Sequence, residues 1–302
     1  MCIRDRLRTT FAIILLSSVV FSQEKINYLF KEVKVKNYLP HMTWEDVEEA
    51  LKRTDMVIIP VGSIEQHGKH LPLCTDLYAS VEICKLIAQR TDVIVSPAVF
   101  AGISEHHMGF PGTITLSPST FEAVVFETAQ SLIRHGFRKI LIYNGHGGNK
   151  TSVQNVIHKI NHNTPATAVE LSGIVVPEEK NTQEKPIPYD WHGGVNETSL
   201  MLYLTNSLVD MSKAEKPILT FPPEVERMMK HIDEEPNLQR VTSAKLFLPE
   251  RVGKKASTRE LSNTGIVTSG NPKDATVERG RKRVERFVES AVKFIEMWKK
   301  LE

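Results

Sequence analysis

The stretch Met56-Val-Ile-Ile-Pro-Val61-Gly-Ser-Ile-Glu65-Gln-His67-Gly-Lys-His70-Leu-Pro-Leu-Cys-Thr-Asp76 sets an apolar run directly before a loop carrying two carboxylates and two imidazoles. The run is short and uninterrupted, the pattern of a strand buried on both faces. Glu, His and Asp are ligand types for a hard-to-borderline divalent cation. A helix is expected next, from about Leu77 to Arg90, with Val81, Cys84, Ile87 and Ala88 on one face.

The same alternation continues outward in both directions. Thr43 can cap a helix from Trp44 to Lys52. Strands are expected at Val93–Val99, Lys139–Tyr143 and Ala166–Leu171, and helices at Ser119–His135, closed by Gly136, and at Lys150–His162. Short apolar strands alternating with amphipathic helices indicate an α/β fold with a mainly parallel sheet covered on both faces. Pro177–Asp190 reads as an exposed loop, and Met211–Asn263 has no assignable pattern. From Lys273 to the end the pattern is helical, with Val284, Phe287, Val288, Ala291, Ile295 and Trp298 on one stripe.

In such folds the reactive groups gather at the carboxyl ends of the strands. The Glu65 loop lies there, and so does Asn144-Gly-His146-Gly-Gly-Asn149; a third glycine-softened loop is His192-Gly-Gly-Val-Asn-Glu197-Thr-Ser199. Glu65 and His67 are two apart and project to the same side if the strand continues. Asp76 could bridge two ions, with His146 and Glu197 completing a nitrogen and oxygen set suited to Zn²⁺ or Mn²⁺. Blander roles stay open for each residue: Asp76 as a helix N-cap, Glu197 at the positive end of its helix, His146 as a satisfied loop histidine. A phosphate cradle at the glycine turn is disfavoured, because no Lys-Ser/Thr pair follows it.

With 302 residues, 41% hydrophobic and 25% charged, the chain has the composition of a globular protein. One large domain is expected over residues 23–302. The net charge of +2 includes three arginines in the first eight residues, so the rest is close to neutral and lacks the basic stripe that nucleic acid requires. Arg4–Arg8 is basic, Phe11–Phe21 is apolar and Ser22 is small, the layout of a signal peptide over residues 1–22. Export to the periplasm or medium follows as an expectation, with no stable membrane span after cleavage. Cys74 and Cys84 leave a disulfide, a thiolate ligand at Cys74 or two small buried thiols as open readings.

The motif Glu65-Gln-His67-Gly-x-His-Leu-Pro-Leu-x-Thr-Asp76, together with Phe110-Pro-Gly-Thr113, Asn144-Gly-His146-Gly-Gly-Asn149 and His192-x-Gly-x-x-Glu197-Thr-Ser199, resembles the creatininase (creatinine amidohydrolase) family. The likeness runs from about Thr43 to the final helix. It implies a three-layer α/β/α sandwich, often assembled as a homo-hexamer, with two divalent metal ions, Zn²⁺ or Mn²⁺, that hydrolyse non-peptide C–N bonds. It further implies Glu65, His67, Asp76, His146 and Glu197 as ligands, Asp76 as the bridge, His192 as the proton-transfer residue, and Ser104, His107 and Gly147 at the pocket for a small amide substrate. Two departures bear on the substrate: Gly147-Gly148 stands where creatininase has a Tyr-Glu pair, and Val195 where many relatives have Glu.

Amide hydrolysis supports that class on physical grounds. The carbonyl is a poor electrophile and the nitrogen a poor leaving group, so a catalyst must address both ends. Two cations polarise the carbonyl and acidify water, and an imidazole near neutral pKa can carry a proton to the nitrogen. A cyclic amide, lactam or formamide is the expected substrate. Two other functions fit the same residues, a metal-dependent peptidase of short peptides and a non-catalytic metal-dependent binding protein.

Overall fold

All six side chains of β1 (Met56–Val61) are buried, and all but Pro60 divide between two cores. Val57, Ile59 and Val61 enter one, Met56 and Ile58 the other, as the twofold alternation of a strand requires. Ile140 and Ile142 against Leu141 divide β3 (Lys139–Asn144) the same way. The first core is covered by α3 (Pro118–Arg134) and α4 (Lys150–Asn163), with Ala50 of α1 (Trp44–Leu51). The second is covered by α2 (Thr75–Arg90) and the long α9 (Val277–Leu301), whose Val284, Val288, Ala291 and Ile295 form its buried stripe. These are the three layers expected.

This computed structural model describes residues 33–177, 187–249 and 257–301. The signal-peptide expectation, at residues 1–22, and most of the exposed loop expected at Pro177–Asp190 lie outside them. Among the described residues no helix is long and apolar enough to cross a membrane.

The sheet is parallel, in the order β2-β1-β3-β4, with β2 at Ile94–Val95 and β4 at Thr167–Glu170. From β1 the chain passes through α2 to β2 on one side, then through α3 to β3 on the other. The carboxyl ends of β1 and β3 are therefore a topological switch point, where open α/β sheets leave a crevice. The strand expected at Val93–Val99 is regular only at Ile94–Val95. Pro97 has no N–H to give the ladder, although Ser96 and Val99 still donate to the Ile58 and Pro60 carbonyls. The helix expected from Leu77 starts at Thr75, placing Asp76 in its first turn.

A second, antiparallel pair was not foreseen: β5 (Asp190–His192) with β6 (Val267–Thr268). It delivers the chain to α5 (Val195–Leu204), which packs along α9 so closely that a side chain at Gly280 would overlap the Ser199 carbonyl. Among its described residues the unassigned region 211–263 forms three short α-helices, α6 (Pro223–Met229), α7 (Leu238–Lys245) and α8 (Thr258–Leu261). Val225, Leu246 and Leu261 make a small core of their own. Cys74 and Cys84 are both free. Cys84 lies in α2 and Cys74 at its N-cap, so ten residues of helix rise, about 15 Å, separate them, beyond the reach of a disulfide.

Candidate metal centre

The Glu65 loop leaves β1 and the His146 loop leaves β3, and the two meet at the switch point. Glu65, His67, Asp76, His146 and His192 are buried there, while a third of the Glu197 side chain is open to a cavity of about 420 Å³. Ligand-type atoms converge in overlapping sets of three: Glu65, His67 and Asp76; His67, His192 and Glu197; Glu65, His107 and His192; Glu65, His106 and His146. All five expected ligands are in this cluster.

Asp76 is its centre. Oδ1 is 3.1 Å from His67 Nε2, and Oδ2 is 3.1 Å from His146 Nδ1. The second contact does not have hydrogen-bond geometry, so Oδ2 is a buried acceptor without a hydrogen-bond donor. Glu65 Oε1 lies 3.3 Å from His146 Nδ1 and 3.6 Å from His192 Nδ1. Glu197 Oε2 is 3.8 Å from His67 Nε2 and accepts from the Gly193 N–H. Gly193 has φ +62, a conformation that turns its N–H toward that carboxylate and disfavours any side chain.

Three imidazoles hold their outer nitrogen against a backbone carbonyl. His67 Nδ1–H donates to the Glu65 carbonyl at 3.1 Å, His146 Nε2–H to Ile103 at 3.0 Å and His192 Nε2–H to Gln66 at 2.5 Å. When these rings are neutral, that bond leaves the inner nitrogen a lone pair facing the carboxylates. Metal-bound histidines have this arrangement.

The charges are strongly interdependent. Burial opposes ionisation of Asp76, but His67 and His146 outweigh it and hold its carboxyl far below the usual range. The His67 pKa rises to about 10 against the cost of burial, because Asp76 attracts and hydrogen-bonds it, with Glu197 and Glu65 adding. Burial, and Asp76 nearby, raise Glu197 to about 7, with His67 opposing. His192 is pushed down to about 3 by burial and then by His67, so it is neutral. The protein thus balances its carboxylates with protons on His67 and His146, positive charge that a cation can replace.

His107 and Gly147 line the cavity as expected. Ser104 does not: it is fully buried beneath Glu65, donating to Oε2 at 2.5 Å and sharing a second hydrogen bond with Ser63. Its place is support of the carboxylate, because the 3-10 turn after it turns His106 and His107, not the serine, toward the cavity. Cys74 belongs to none of the ligand sets. Besides Gly145 and Gly148, the remaining wall is four side chains, those of Ile103, His106, Trp191 and Phe247. Sequence reasoning missed these, although His106 and Trp191 each directly precede a histidine that it singled out. Gly147 faces open space, whereas a Cβ on Gly148 would overlap the Ile103 carbonyl and the His146 ring.

A family model described as creatininase, creatinine amidohydrolase, matches residues 40–295. The creatinine amidohydrolase of Pseudomonas putida is 31% identical over 205 residues, covering 62% of this chain and 79% of that one. The mycofactocin precursor peptide peptidase of Mycolicibacterium smegmatis is 32% identical over 157 residues, half of this chain and 58% of that one. Among solved structures, a creatininase described with Mn superposes with a TM-score of 0.64 over 87% of this chain and 98% of its own, at 23% identity, a likeness of fold.

Proposed function

This chain belongs to the creatininase family, and from that premise we propose that it is a divalent-metal-dependent amidohydrolase acting on a small cyclic amide, lactam or formamide. The observation that carries the reading is Asp76, whose two oxygens face imidazoles from two different loops. The unsatisfied Oδ2 and the inner lone pairs of His67 and His146 fit a pair of cations. Glu65, Asp76 and His146 would hold one, His67, Asp76 and Glu197 the other. Bound there, Zn²⁺ or Mn²⁺ would polarise the amide carbonyl and lower the pKa of water.

The chain's own groups do the rest. His192, neutral and tied through Nε2 to the Gln66 carbonyl, points Nδ1 at the centre, where it can take a proton and return it to the departing nitrogen. Trp191, Phe247 and Ile103 offer apolar surface to the substrate and exclude water from one side. The open space at Gly147 admits a larger substrate than a bulky residue there would allow.

The test is metal content of the purified protein, with hydrolysis of creatinine, hydantoins, lactams and formamides before and after chelation. About two ions per chain and chelator-sensitive turnover support the reading; no bound metal would sink it. Similarity to the peptidase gives a second reading, short-peptide hydrolysis at the same centre, which release of a terminal residue would reveal. Two expectations carry forward as proposals: export, tested by the N-terminal sequence of the secreted protein, and homo-oligomerisation, tested by its mass in solution.

A further inference from the structure

His107 differs from the other imidazoles of the cluster. Its outer nitrogen, Nδ1, lies 2.9 Å from Gln66 Nε2. The Gln66 amide cannot be turned over. Its Oε1 accepts from the Gly68 N–H at 3.0 Å, and its Nε2 donates to the Gly265 carbonyl at 2.9 Å. Reversal would set oxygen against oxygen and N–H against N–H. Gln66 Nε2 therefore offers His107 only a hydrogen, and Nδ1 must be the lone pair that accepts it. Thr258 Oγ1, 2.8 Å from the same nitrogen, is compatible, since its hydroxyl can turn toward Nδ1 or toward the His106 carbonyl 3.0 Å away.

With a lone pair on Nδ1, the His107 ring is in its neutral form. Its one ring proton is then on Nε2, 3.3 Å from Glu65 Oε1. His192 approaches the same oxygen with a lone pair, because its own N–H is given to the Gln66 main-chain carbonyl. One residue thus governs both rings, through its side chain for His107 and its backbone for His192.

We propose that Gln66 fixes the same Nε2–H tautomer in the two histidines flanking Glu65 but in opposite orientations, so that His192 turns its lone pair and His107 its hydrogen toward that carboxylate, and that His107 is a positioning residue whose Nε2–H orients Glu65 rather than a cation ligand. Its spacing from Glu65 and His192 is that of a ligand set, yet the nitrogen facing the set carries hydrogen. Ser104 donates to Oε2, and the His107 Nε2–H stands 3.3 Å from Oε1, so each oxygen of Glu65 faces a hydrogen-bearing group. The tautomer stands on hydrogen bonding alone, while its consequence for metal affinity rests on the reading of Glu65 as a ligand.

The experiment is long-range ¹H–¹⁵N spectroscopy of the full chain labelled at histidine, with zinc titration alongside. His107 is assigned by its loss in His107→Gln. The wild type is expected to show His107 protonated at Nε2 and His192 at Nε2. Gln66→Glu, which accepts where glutamine donates, should move the His107 proton to Nδ1 and leave His192 unchanged, because the main-chain carbonyl is retained. Gln66→Met should weaken zinc binding by about 10- to 100-fold. A wild-type His107 protonated at Nδ1, an unmoved proton in Gln66→Glu, or unchanged zinc affinity in Gln66→Met would each overturn the proposal. The expected tautomers in a protein that hydrolyses no amide would uphold it and remove the functional reading instead.

Discussion

Asp76 Oδ2 lies 3.1 Å from His146 Nδ1 although the residues come from different strand ends, and it makes no hydrogen bond there. A buried carboxylate oxygen left this way costs stability unless a cation or proton occupies the gap. The same residue reaches His67 through Oδ1. Removing it should therefore affect both cation positions together.

Asp76→Ala is expected to reduce bound metal from about two ions per chain to near zero, while Glu197→Ala, which touches one position only, should retain about one. Elemental analysis after gel filtration checks this, with circular dichroism to confirm folding. Retention of both ions in Asp76→Ala would show that the carboxylate is not the bridge.

His192→Ala should keep the metal and lose kcat by about 10²- to 10⁴-fold, the usual contribution of a positioned proton carrier. Steady-state kinetics and metal content on the same sample decide it. Equal loss of metal and rate would make His192 a ligand.

Protonation gives the metal-dependent stability a definite sign. A pKa of about 10 for His67, against 6.5 unperturbed, means the folded protein binds that proton more tightly, so its stabilisation is full below about 6.5 and is lost as pH rises through about 10. Glu197, raised from 4.5 to about 7, acts in the same direction at lower pH. Metal binding displaces these protons and so grows stronger with pH. The gap in melting temperature between metal-loaded and chelated protein is expected to widen from about pH 6 to about pH 9. A constant or narrowing gap would contradict this electrostatic account.

The glycine pair after His146 should be asymmetric. Gly148→Ala forces a methyl into the Ile103 carbonyl and the His146 ring and is expected to cost about 1–3 kcal/mol. Gly147→Ala meets open space and should stay within about 0.5 kcal/mol. Chemical denaturation of both variants measures the difference. Equal losses would mean that the backbone at this turn relaxes freely.

Much of this was legible in the sequence because β1 and β3 are uninterrupted apolar runs, each followed at once by a loop bearing ligand-type residues. That pairing alone sets Glu65, His67 and His146 just past strand ends, with Asp76 at the start of the helix that follows the first loop. β5 and β6 were not legible, since strands of three and two residues carry no periodicity. Gln66 was invisible for another reason. It sits inside the motif with no ligand chemistry of its own, and its side-chain partners His107 and Gly265 are 41 and 199 residues away. Ser104 was placed near the site, but whether a hydroxyl faces a cavity or a carboxylate depends on the turn after it, which spacing does not reveal.

The antiparallel pair β5–β6 carries a further meaning. Between its strands run first α5 with Glu197, which belongs to the cluster, and then the stretch from α6 onward that supplies Phe247 to the cavity wall. Loop closure grows costlier only slowly with length, so the stretch between α5 and α8 can lengthen, shorten or be exchanged at little thermodynamic expense while β5 keeps His192 in register and α5 keeps Glu197 in place. Inheritance can rewrite what this wall admits without disturbing the chemistry below it.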